Sequence, residues 1–467
     1  MRPEILLKVW RRPSLQTGIR RIHFVGIGGI GMSGLAEIMV HRGFQVTGSD
    51  RQLSDITRRL QSLGVNVFEG HEASQVDADL VVYTSAASAD NPEIHEASRR
   101  GIPCVKRSVL LGEILREQRG IAVSGTHGKT TTTAMIGLLL RHASLDPTIL
   151  VGGMITELGT NALPGKGQYA VVEADEYDRS FLDLRPWLTV VNNIESDHLD
   201  CYRNLDDIRF TFSDFANQTS VFGCVILNAD DPNISSIRDR IHRRQRTFGL
   251  DSKADVSAVN IRYAHGTMSF EVSLDGTSAG TCTLHLNGLH NVRNALASIA
   301  VADELGLSFD IASSSLSKFH GTGRRFEHLG TVREITVIDD YAHHPTEIKS
   351  TLQGAREVWP TRRLVVAFQP HLYSRTRDYL KDFAASFKQA DVVVLTDIYP
   401  ARELPIPGIT GETLFHATRE HHEQVHYVPT LPEALDFLKS FANPGDVVIT
   451  MGAGTITTVG HDLVNKL

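Results

Sequence analysis

The sequence predicts an α/β protein built of three blocks, and three observations carry the prediction. Short β-like apolar runs alternate with helical patterns along most of the chain, the signature of βαβ units and parallel sheets. Two of those runs open into glycine-rich loops that lead into helices, the local form of a phosphate grip. The length of 467 residues suits about three domains, and 41% hydrophobic with 22% charged residues leaves ample core inside a polar surface.

Composition also excludes. A net charge of −7 argues against a nucleic-acid binder, so any phosphate site is a local cluster on an acidic background. No run approaches the roughly 18 to 20 apolar residues needed to cross a bilayer. Residues 1–20, MRPEILLKVWRRPSLQTGIR, are basic and amphipathic, and their apolar stretch is too short and interrupted for a secretory signal. They read as a loosely ordered arm on a cytoplasmic protein without membrane insertion. Cys104, Cys201, Cys224 and Cys282 are scattered, which predicts reduced thiols and neither a disulfide framework nor a four-cysteine zinc site.

The first block, residues 1–119, carries the runs IHFVGI, QVTG, LVVY and PCVK, alternating with SGLAEIMVHRG and SVLLGEILRE. Gly26-Ile27-Gly28-Gly29-Ile30-Gly31 follows the first run, where glycines admit a pyrophosphate to a helix N-terminus. In that context the pattern fits a dinucleotide or a nucleotide-sugar diphosphate, although a plain strand-to-helix turn uses the same residues. Asp50, closing the next run, suits a ribose hydroxyl or a base edge.

The second block, residues 120–324, opens with Ile121-Ala122-Val123 and then GTHGKTTTT from Gly125 to Thr133. Its glycines let backbone N–H groups converge on phosphate oxygens. Lys129 supplies a point charge at the β/γ-phosphates and Thr130 a hydroxyl for Mg²⁺, with a helix starting there. The common P-loop spacing needs glycine at position 123, where Val123 stands, so the loop is a contracted form. YAVVEAD, LTVVNNI and FGCVILN read as buried strands, and period-2 patterning from about 255 to 286 reads as a small antiparallel sheet. Glu173, at the end of YAVV, is placed to hold Mg²⁺ beside Thr130, because hard oxygen ligands suit that ion. His198, in NNIESDHLD, is either a second metal ligand or a hydrogen-bonded turn residue, and the neighbouring phosphate loop favours the metal. A zinc site from His198 and Cys201 lacks two further ligands. The helix HNVRNALASIAVADEL and the turn HGTGRR close the block.

The third block, residues 325–467, holds ITVIDD, RLVVAFQP, DVVVLTD and DVVIT with intervening helices, again a mostly parallel sheet. Asp339-Asp340-Tyr341-Ala342-His343-His344-Pro345 stands at the carboxyl end of ITVI, the edge where open α/β sheets bind ligands. Pro345 and Glu347 suit the first turn of a helix. Together with Gln369-Pro370-His371-Leu372-Tyr373-Ser374-Arg375, this cluster fits a small amino acid, Arg375 taking its carboxylate and His or Asp groups orienting its amine. A di-metal hydrolase would use the same Asp and His residues but leaves the phosphate loop without a task.

Taken in order, GIGGIGMSGLAEI, SGTHGKTTTTAMI, VVEADEYDRSF, NNIESDHLDCY, HNVRNALASIAVA, FHGTGRRFE, DDYAHHPTEI and FQPHLYSRT resemble the motifs of the Mur ligases, over about residues 20–460. The glycine-rich start is similar to the alanine-adding branch. So is the absence of lysine between His198 and Thr219, where later members carry a carbamoylated lysine. Leu372 departs from the basic residue usual at its place, and Ala342 from the usual glycine. The resemblance implies a Rossmann-like N-terminal domain for a UDP-sugar, a central P-loop ATPase domain, and a Rossmann-like C-terminal domain that closes over the site.

The activity it implies is ATP-dependent joining of L-alanine to UDP-N-acetylmuramate through an acyl phosphate, in peptidoglycan precursor synthesis. ATP and Mg²⁺ are the implied cofactors, with two ions and Mn²⁺ able to substitute. Carried onto this chain, Gly125, Thr126, His127, Gly128, Lys129, Thr130, Thr131, His290 and Asn294 resemble the ATP contacts, and Thr130, Glu173 and His198 the metal ligands. Lys129, Glu173, His198, Arg325 and His343 form the implied catalytic set. Gly28, Ser33, Asp50, His71, Ser85 and Arg107 are expected at the UDP-sugar, and Tyr341, His343, His371 and Arg375 at the alanine. A monomer or homodimer is expected, with the third block swinging inward about a linker near Arg325 to keep water from the acyl phosphate. Two rivals explain less. A dinucleotide-dependent oxidoreductase leaves the second glycine loop idle, and a non-catalytic nucleotide-binding regulator has no need of Glu173 and His198.

Overall fold

The computed structural model of the protein describes residues 18–466 apart from 89, 252, 265 and 402. The first 17 residues of the expected N-terminal arm lie outside the described residues. The strands gather into three sheets that follow one another along the chain.

The first sheet contains β1 (Arg21–Val25), β2 (Gln45–Asp50), β3 (Asn66–Glu69), β4 (Leu80–Tyr83) and β5 (Cys104–Lys106), all parallel in the order β3-β2-β1-β4-β5. The order reverses between β1 and β4, and a crevice outside their carboxyl ends is where such sheets take ligands. The sequence reading passed over β3, whose four residues NVFE are too few to establish a period.

The second sheet has ten strands: β6 (Arg119–Ser124), β7 (Thr148–Ile155), β8 (Thr160–Leu163), β9 (Tyr169–Glu173), β10 (Leu188–Val191), β11 (Cys224–Asn228), β12 (Gln245–Gly249), β13 (Val256–Ala264), β14 (Thr267–Leu274) and β15 (Thr277–Leu284). Its order is β15-β14-β13-β12-β11-β10-β6-β9-β7-β8. The antiparallel ribbon expected from the period-2 stretch is continuous with the parallel strands, because β13 pairs with β12 at Phe248 and Val256. The ribbon thereby covers an edge that would otherwise expose a row of backbone polar groups.

The third sheet, ordered β16-β17-β21-β18-β19-β20, contains β16 (Glu327–Val332), β17 (Ile335–Asp340), β18 (Leu364–Phe368), β19 (Val392–Leu395), β20 (Val425–Tyr427) and β21 (Val447–Met451). Only β16 runs antiparallel to its neighbour.

Burial divides the molecule unequally. One apolar cluster runs without interruption from the first sheet into the second, joining Phe24 and Leu35 to Leu150, Phe181 and Phe215. The helix Ile30–His41 lies so close to β7 that a Cβ on Gly34 would come 2.5 Å from Leu150 Cδ1. Asn161 Nδ2 adds a bond to Ile30 O at 2.7 Å. The clusters of the third sheet contain only residues of that block. It meets the second block through polar groups, described below. The first two blocks are therefore welded by apolar packing, and the third is docked through contacts that water can replace.

No described helix is long and apolar enough to cross a membrane. All four cysteines are free thiols, as their spacing predicted.

Candidate functional site

The contracted loop forms a tight bridge between β6 and the helix Lys129–His142. Gly125 and Gly128 take φ of 139° and 80°, in the region glycine tolerates, and Gly128 is the residue that caps the helix. A Cβ on Gly128 would stand 2.7 Å from Asn294 Oδ1, so the backbone approaches Asn294 as only glycine allows. The helix presents its N–H end to whatever the loop holds, where an anion is favoured.

Lys129 does not reach into open space. Its Nζ donates to Gly125 O at 2.6 Å and to both carboxylate oxygens of Glu176, at 2.9 and 2.7 Å. Burial works against the ammonium, yet Glu176 and Asp175 hold its pKa above the ordinary value. Glu176 was quoted in the sequence within VVEADEYDRSF without a task, and it is almost fully buried. Its signal was present: a third acid, after Glu173 and Asp175, in the same strand-end loop.

Of the three metal-ligand candidates, Thr130 and Glu173 come together. The Thr130 hydroxyl is a hydrogen-bond partner of the Glu173 carboxylate, and Gly152 N donates to Glu173 Oε1 at 2.6 Å. Burial raises the Glu173 carboxyl. A divalent cation would reverse that pressure, and a carboxylate beside a hydroxyl is the hard donor pair that Mg²⁺ takes. His198 sits at φ 54° in the turn after β10, with Nε2 at 3.8 Å from Glu176 Oε1 and at 3.8 Å from Asp197 Oδ2. Both readings of His198 thus keep a footing: it is a turn residue, and its ring nitrogen faces the carboxylates around Lys129.

Beside the loop lies a cavity of about 320 Å³, lined by Gly128, Thr130, Thr131, His290, Asn294 and Arg325 among others. Among the described residues, Asn192 Oδ1, Asn287 Oδ1 and Thr322 Oγ1 are buried at its wall without a hydrogen-bond partner. Orphaned polar atoms of this kind are costly, and a polar ligand that fills the cavity satisfies them. Size, orphaned acceptors and helix end all fit a nucleotide whose phosphates lie at the loop.

The far wall of the cavity comes from the third block. Glu347, in the first turn of the helix Pro345–Val358, accepts from the backbone N–H of His343 at 2.9 Å and lies 3.1 Å from His127 Nδ1 and 3.6 Å from Arg325 Nη1. His127 Nε2 faces Glu195 Oε2 at 3.4 Å. Burial opposes a charge on His127, but the two carboxylates push its pKa up to about 10. Burial opposes the charge on Glu347, but its neighbours, His343 first and then His127 and Arg325, hold the carboxyl well below the usual range. Thr346 Oγ1 donates to Glu195 Oε2 at 2.7 Å, and Tyr379 Oη to Ser196 O at 2.7 Å.

Arg375 is nearly buried and paired with Asp197, Nη2 to Oδ1 at 3.0 Å and Nε to Oδ1 at 3.3 Å. Burial opposes the Asp197 charge, and Arg375 overrides it, holding the carboxyl far below its usual range. Around Arg375 the other expected amino-acid residues do assemble. His371 Nδ1 lies 3.3 Å from Arg375 Nη1, and the rings of His343 and His371 are 6.1 Å apart. His343 Nδ1 meets Tyr341 O at 2.9 Å, and the Tyr341 ring lies under Arg324 and Arg325. Burial drives the His343 imidazole down to about 4.

Of the His or Asp groups expected to orient an amine, both aspartates of DDYAHHP are bonded within the fold. Asp339 is fully buried on Thr450 and Arg324, and Asp340 accepts from the backbone N–H of Phe326 and Ala342.

At the first sheet, the glycine loop and its expected partners share one edge. Asp50 Oδ2 accepts from Gly28 N at 2.8 Å, and Arg107 reaches so far over the loop that a Cβ on Gly31 would come 3.0 Å from its Nη1. Ser85 is exposed in the loop after β4, across the β1/β4 reversal. Ser33 is buried and turns its hydroxyl back to Ile30 O at 3.0 Å. His71 reaches inward to Ser49 and to Glu93, a buried acid that the sequence reading did not single out.

Glu176, Asp197, Glu195 and Glu347 were likewise missed as site residues. Each lies inside or next to a motif already marked, and each is defined by a partner from a distant part of the chain.

Known proteins match this geometry. Family models align in three stretches: the Mur ligase family catalytic domain over residues 21–119, the Mur ligase middle domain over 123–302, and the Mur ligase glutamate ligase domain over 324–454. A UDP-N-acetylmuramate–L-alanine ligase of Salinibacter ruber is 49% identical over 452 residues, covering 96% of this chain and 95% of that protein. Its counterpart in Geotalea uraniireducens is 48% identical, covering 96% and 98%. Among solved structures, the UDP-N-acetylmuramate–alanine ligase of Thermotoga maritima superimposes with a TM-score of 0.82 at 32% identity, over 96% of this chain and 98% of that one. A murein peptide ligase of Psychrobacter arcticus gives 0.72 at 28% identity, with the same coverage. On the motifs, the three sheets and this near full-length agreement, the chain belongs to the Mur ligase family.

Proposed function

We propose that the protein joins L-alanine to UDP-N-acetylmuramate at the expense of ATP, releasing ADP and phosphate. The observation that carries this reading is the seam itself: the phosphate loop with its nucleotide-sized cavity faces, across Arg325 and Glu347, the cluster of His343, His371 and Arg375. An anhydride-cleaving site and an amino-acid site that share a wall suit a carboxylate that is activated at one and consumed at the other.

ATP occupies the cavity, its base toward His290 and Asn294 and its phosphates on the N–H groups of Gly125 to Thr131. The UDP-sugar lies along the edge formed by Gly28, Asp50, Arg107 and Ser85, its lactyl carboxylate directed at the γ-phosphate. Lys129 leaves or shares its bond with Glu176 to meet the charge that builds on the transferring phosphoryl group, and Arg325 meets it from the other side. Phosphoryl transfer is mostly positioning and charge stabilisation, so no protein nucleophile is required. The alanine carboxylate is held at Arg375 and His371, and His343, kept neutral by its burial, faces the incoming amine. Attack of that amine on the acyl phosphate forms the amide and expels phosphate. Thr130 and Glu173, with His198 nearby, would hold Mg²⁺, whose role is to neutralise the phosphate oxygens. Two ions, Mn²⁺ as a substitute and a cytoplasmic location complete the proposal.

Phosphate release measured as each substrate is left out tests it. Release should require ATP, UDP-N-acetylmuramate and L-alanine together, and ¹⁸O placed in the sugar carboxylate should appear in the phosphate. Lys129→Ala should lower turnover at least about a hundredfold. Release without the UDP-sugar, or near-normal turnover in the variant, would overturn the scheme.

A further inference from the structure

The first sheet contains a hydrogen-bond relay that the proposed chemistry does not use. Glu93, in the first turn of the helix Pro92–Arg99, is fully buried, as is His23 of β1. The Glu93 carboxylate meets His23 Nε2 at 2.9 Å, Ser49 Oγ at 2.6 Å and His71 Nδ1 at 2.8 Å. His23 Nδ1 in turn lies 2.8 Å from Thr47 Oγ1, and His71 Nδ1 lies 2.9 Å from Ser49 Oγ. Burial works against the charge, but these bonds hold the Glu93 carboxyl below its ordinary value, so it accepts from all three partners. The proton positions then follow. Ser49 gives its single hydrogen to Glu93 and can only accept from His71. His71 Nδ1 must carry a hydrogen, and in the neutral imidazole the lone pair is left on Nε2.

The place of this lone pair matters. His71 follows the end of β3, and Gly70 N donates to Asp50 O at 2.7 Å. Asp50 is the residue whose side chain accepts from the glycine loop at Gly28. The His71 side chain is one-fifth exposed at this edge, while Ser49, Glu93 and His23 behind it are buried. A fold that needed only packing there would fill the space with apolar groups, which is often neutral or stabilising relative to buried ionised ones. The relay instead fixes which nitrogen of a partly exposed imidazole can accept.

We propose that Glu93, backed by His23 and Ser49, is a positioning residue that holds His71 as a hydrogen-bond acceptor for the N3–H of uracil, and that this sets the preference for uridine over cytidine nucleotides. Uracil offers a donor at N3, whereas cytosine offers a lone pair that would face the lone pair of His71. A polar site left unpaired by the wrong ligand discriminates more strongly than an apolar one. The inference rests on the UDP-sugar reading above and adds to it the group that reads the base.

Calorimetric titration of the full chain with UDP, CDP and 3-methyluridine 5′-diphosphate tests it. UDP should bind at least about tenfold more tightly than either of the others, since both lack the N3–H. Glu93→Gln places an amide N–H where His71 now finds an acceptor and so favours the opposite tautomer. In that variant UDP should weaken about tenfold while CDP does not, and the KM for the UDP-sugar should rise with kcat unchanged. A merely structural role for Glu93 predicts equal losses for UDP and CDP, and that result would overturn the proposal. So would equal binding of UDP and its 3-methyl analogue by the unaltered protein, a comparison that stands even if the variant does not fold. A protein that discriminates the bases yet releases no phosphate with the three substrates would remove the ligase reading and leave this one in place.

Discussion

His127 is held between carboxylates that belong to different blocks, Glu195 of the second and Glu347 of the third. Its pKa of about 10 in the folded protein exceeds the value near 6.5 of an unstrained imidazole, so its protonated form stabilises the docked molecule. A raised pKa gives a contribution fully present below about pH 6.5 and lost as pH rises through about 10. Glu195 and Glu347 titrate below their ordinary values, so both remain charged at pH 5 and above. The melting temperature of His127→Gln should therefore fall below that of the parent most between about pH 5 and 6.5, and the two should converge above about pH 10. A gap that widens with alkaline pH would contradict this assignment. At this scale the sequence disclosed residues whose type and spacing suffice, such as Lys129 and Thr130 after a glycine or Glu173 at a strand end. It hid Glu176, Asp197 and Glu347, because an acid is ordinary on a surface until its cation is known. Those cations lie 47, 178 and 220 residues away.

At the scale of elements, β7 packs against the two proposed metal ligands although none of its residues was marked. Gly152 and Gly153 lie against Glu173 and Thr130: a Cβ on Gly152 would stand 2.7 Å from Glu173 Oε2, and one on Gly153 3.2 Å from Thr130 Cγ2. The backbone of β7 thus takes the space beside the two proposed metal ligands, and Gly152 N fixes one carboxylate oxygen. Gly152→Ala should push the Glu173 carboxylate aside. The Mg²⁺ concentration for half-maximal phosphate release should rise at least about tenfold, with the circular dichroism spectrum unchanged. An unchanged Mg²⁺ requirement would show that Glu173 does not depend on this packing. Many elements were legible because a buried parallel strand followed by an amphipathic helix repeats along the chain, although the eight-residue β7 was not among them. NVFE and VHY, the strands β3 and β20, were not, since strands of four and three residues carry too little periodicity. The joining of β12 to β13 was also out of reach, because pairing between strands is not written in either strand alone.

For the whole molecule, the contrast between the two seams decides what can move. Apolar packing unites the first two blocks, while the third is held by Arg375 on Asp197, Tyr379 on Ser196, and Thr346 and His344 on Glu195. Three successive residues, Glu195 to Asp197, thus grip the third block immediately before His198. The sequence implied three blocks and a closing motion near Arg325, but not that one short segment, Glu195 to Asp197, would carry much of the latch beside the His127–Glu347 contact. Breaking a buried ion pair on one side leaves an uncompensated charge and costs about 3–5 kcal/mol, enough to undock a block held by few other contacts. Asp197→Asn should therefore show a larger radius of gyration than the parent in small-angle scattering without ligands. Its sheets should stay intact, because Asp197 lies between blocks and outside the core of either. An ATP analogue and UDP-sugar added together should restore much of the compaction, since the cavity proposed for ATP takes one wall from the third block. Identical scattering of parent and variant would mean that the latch lies elsewhere. An expanded variant that ligands fail to compact would mean that the nucleotide site is complete without the third block.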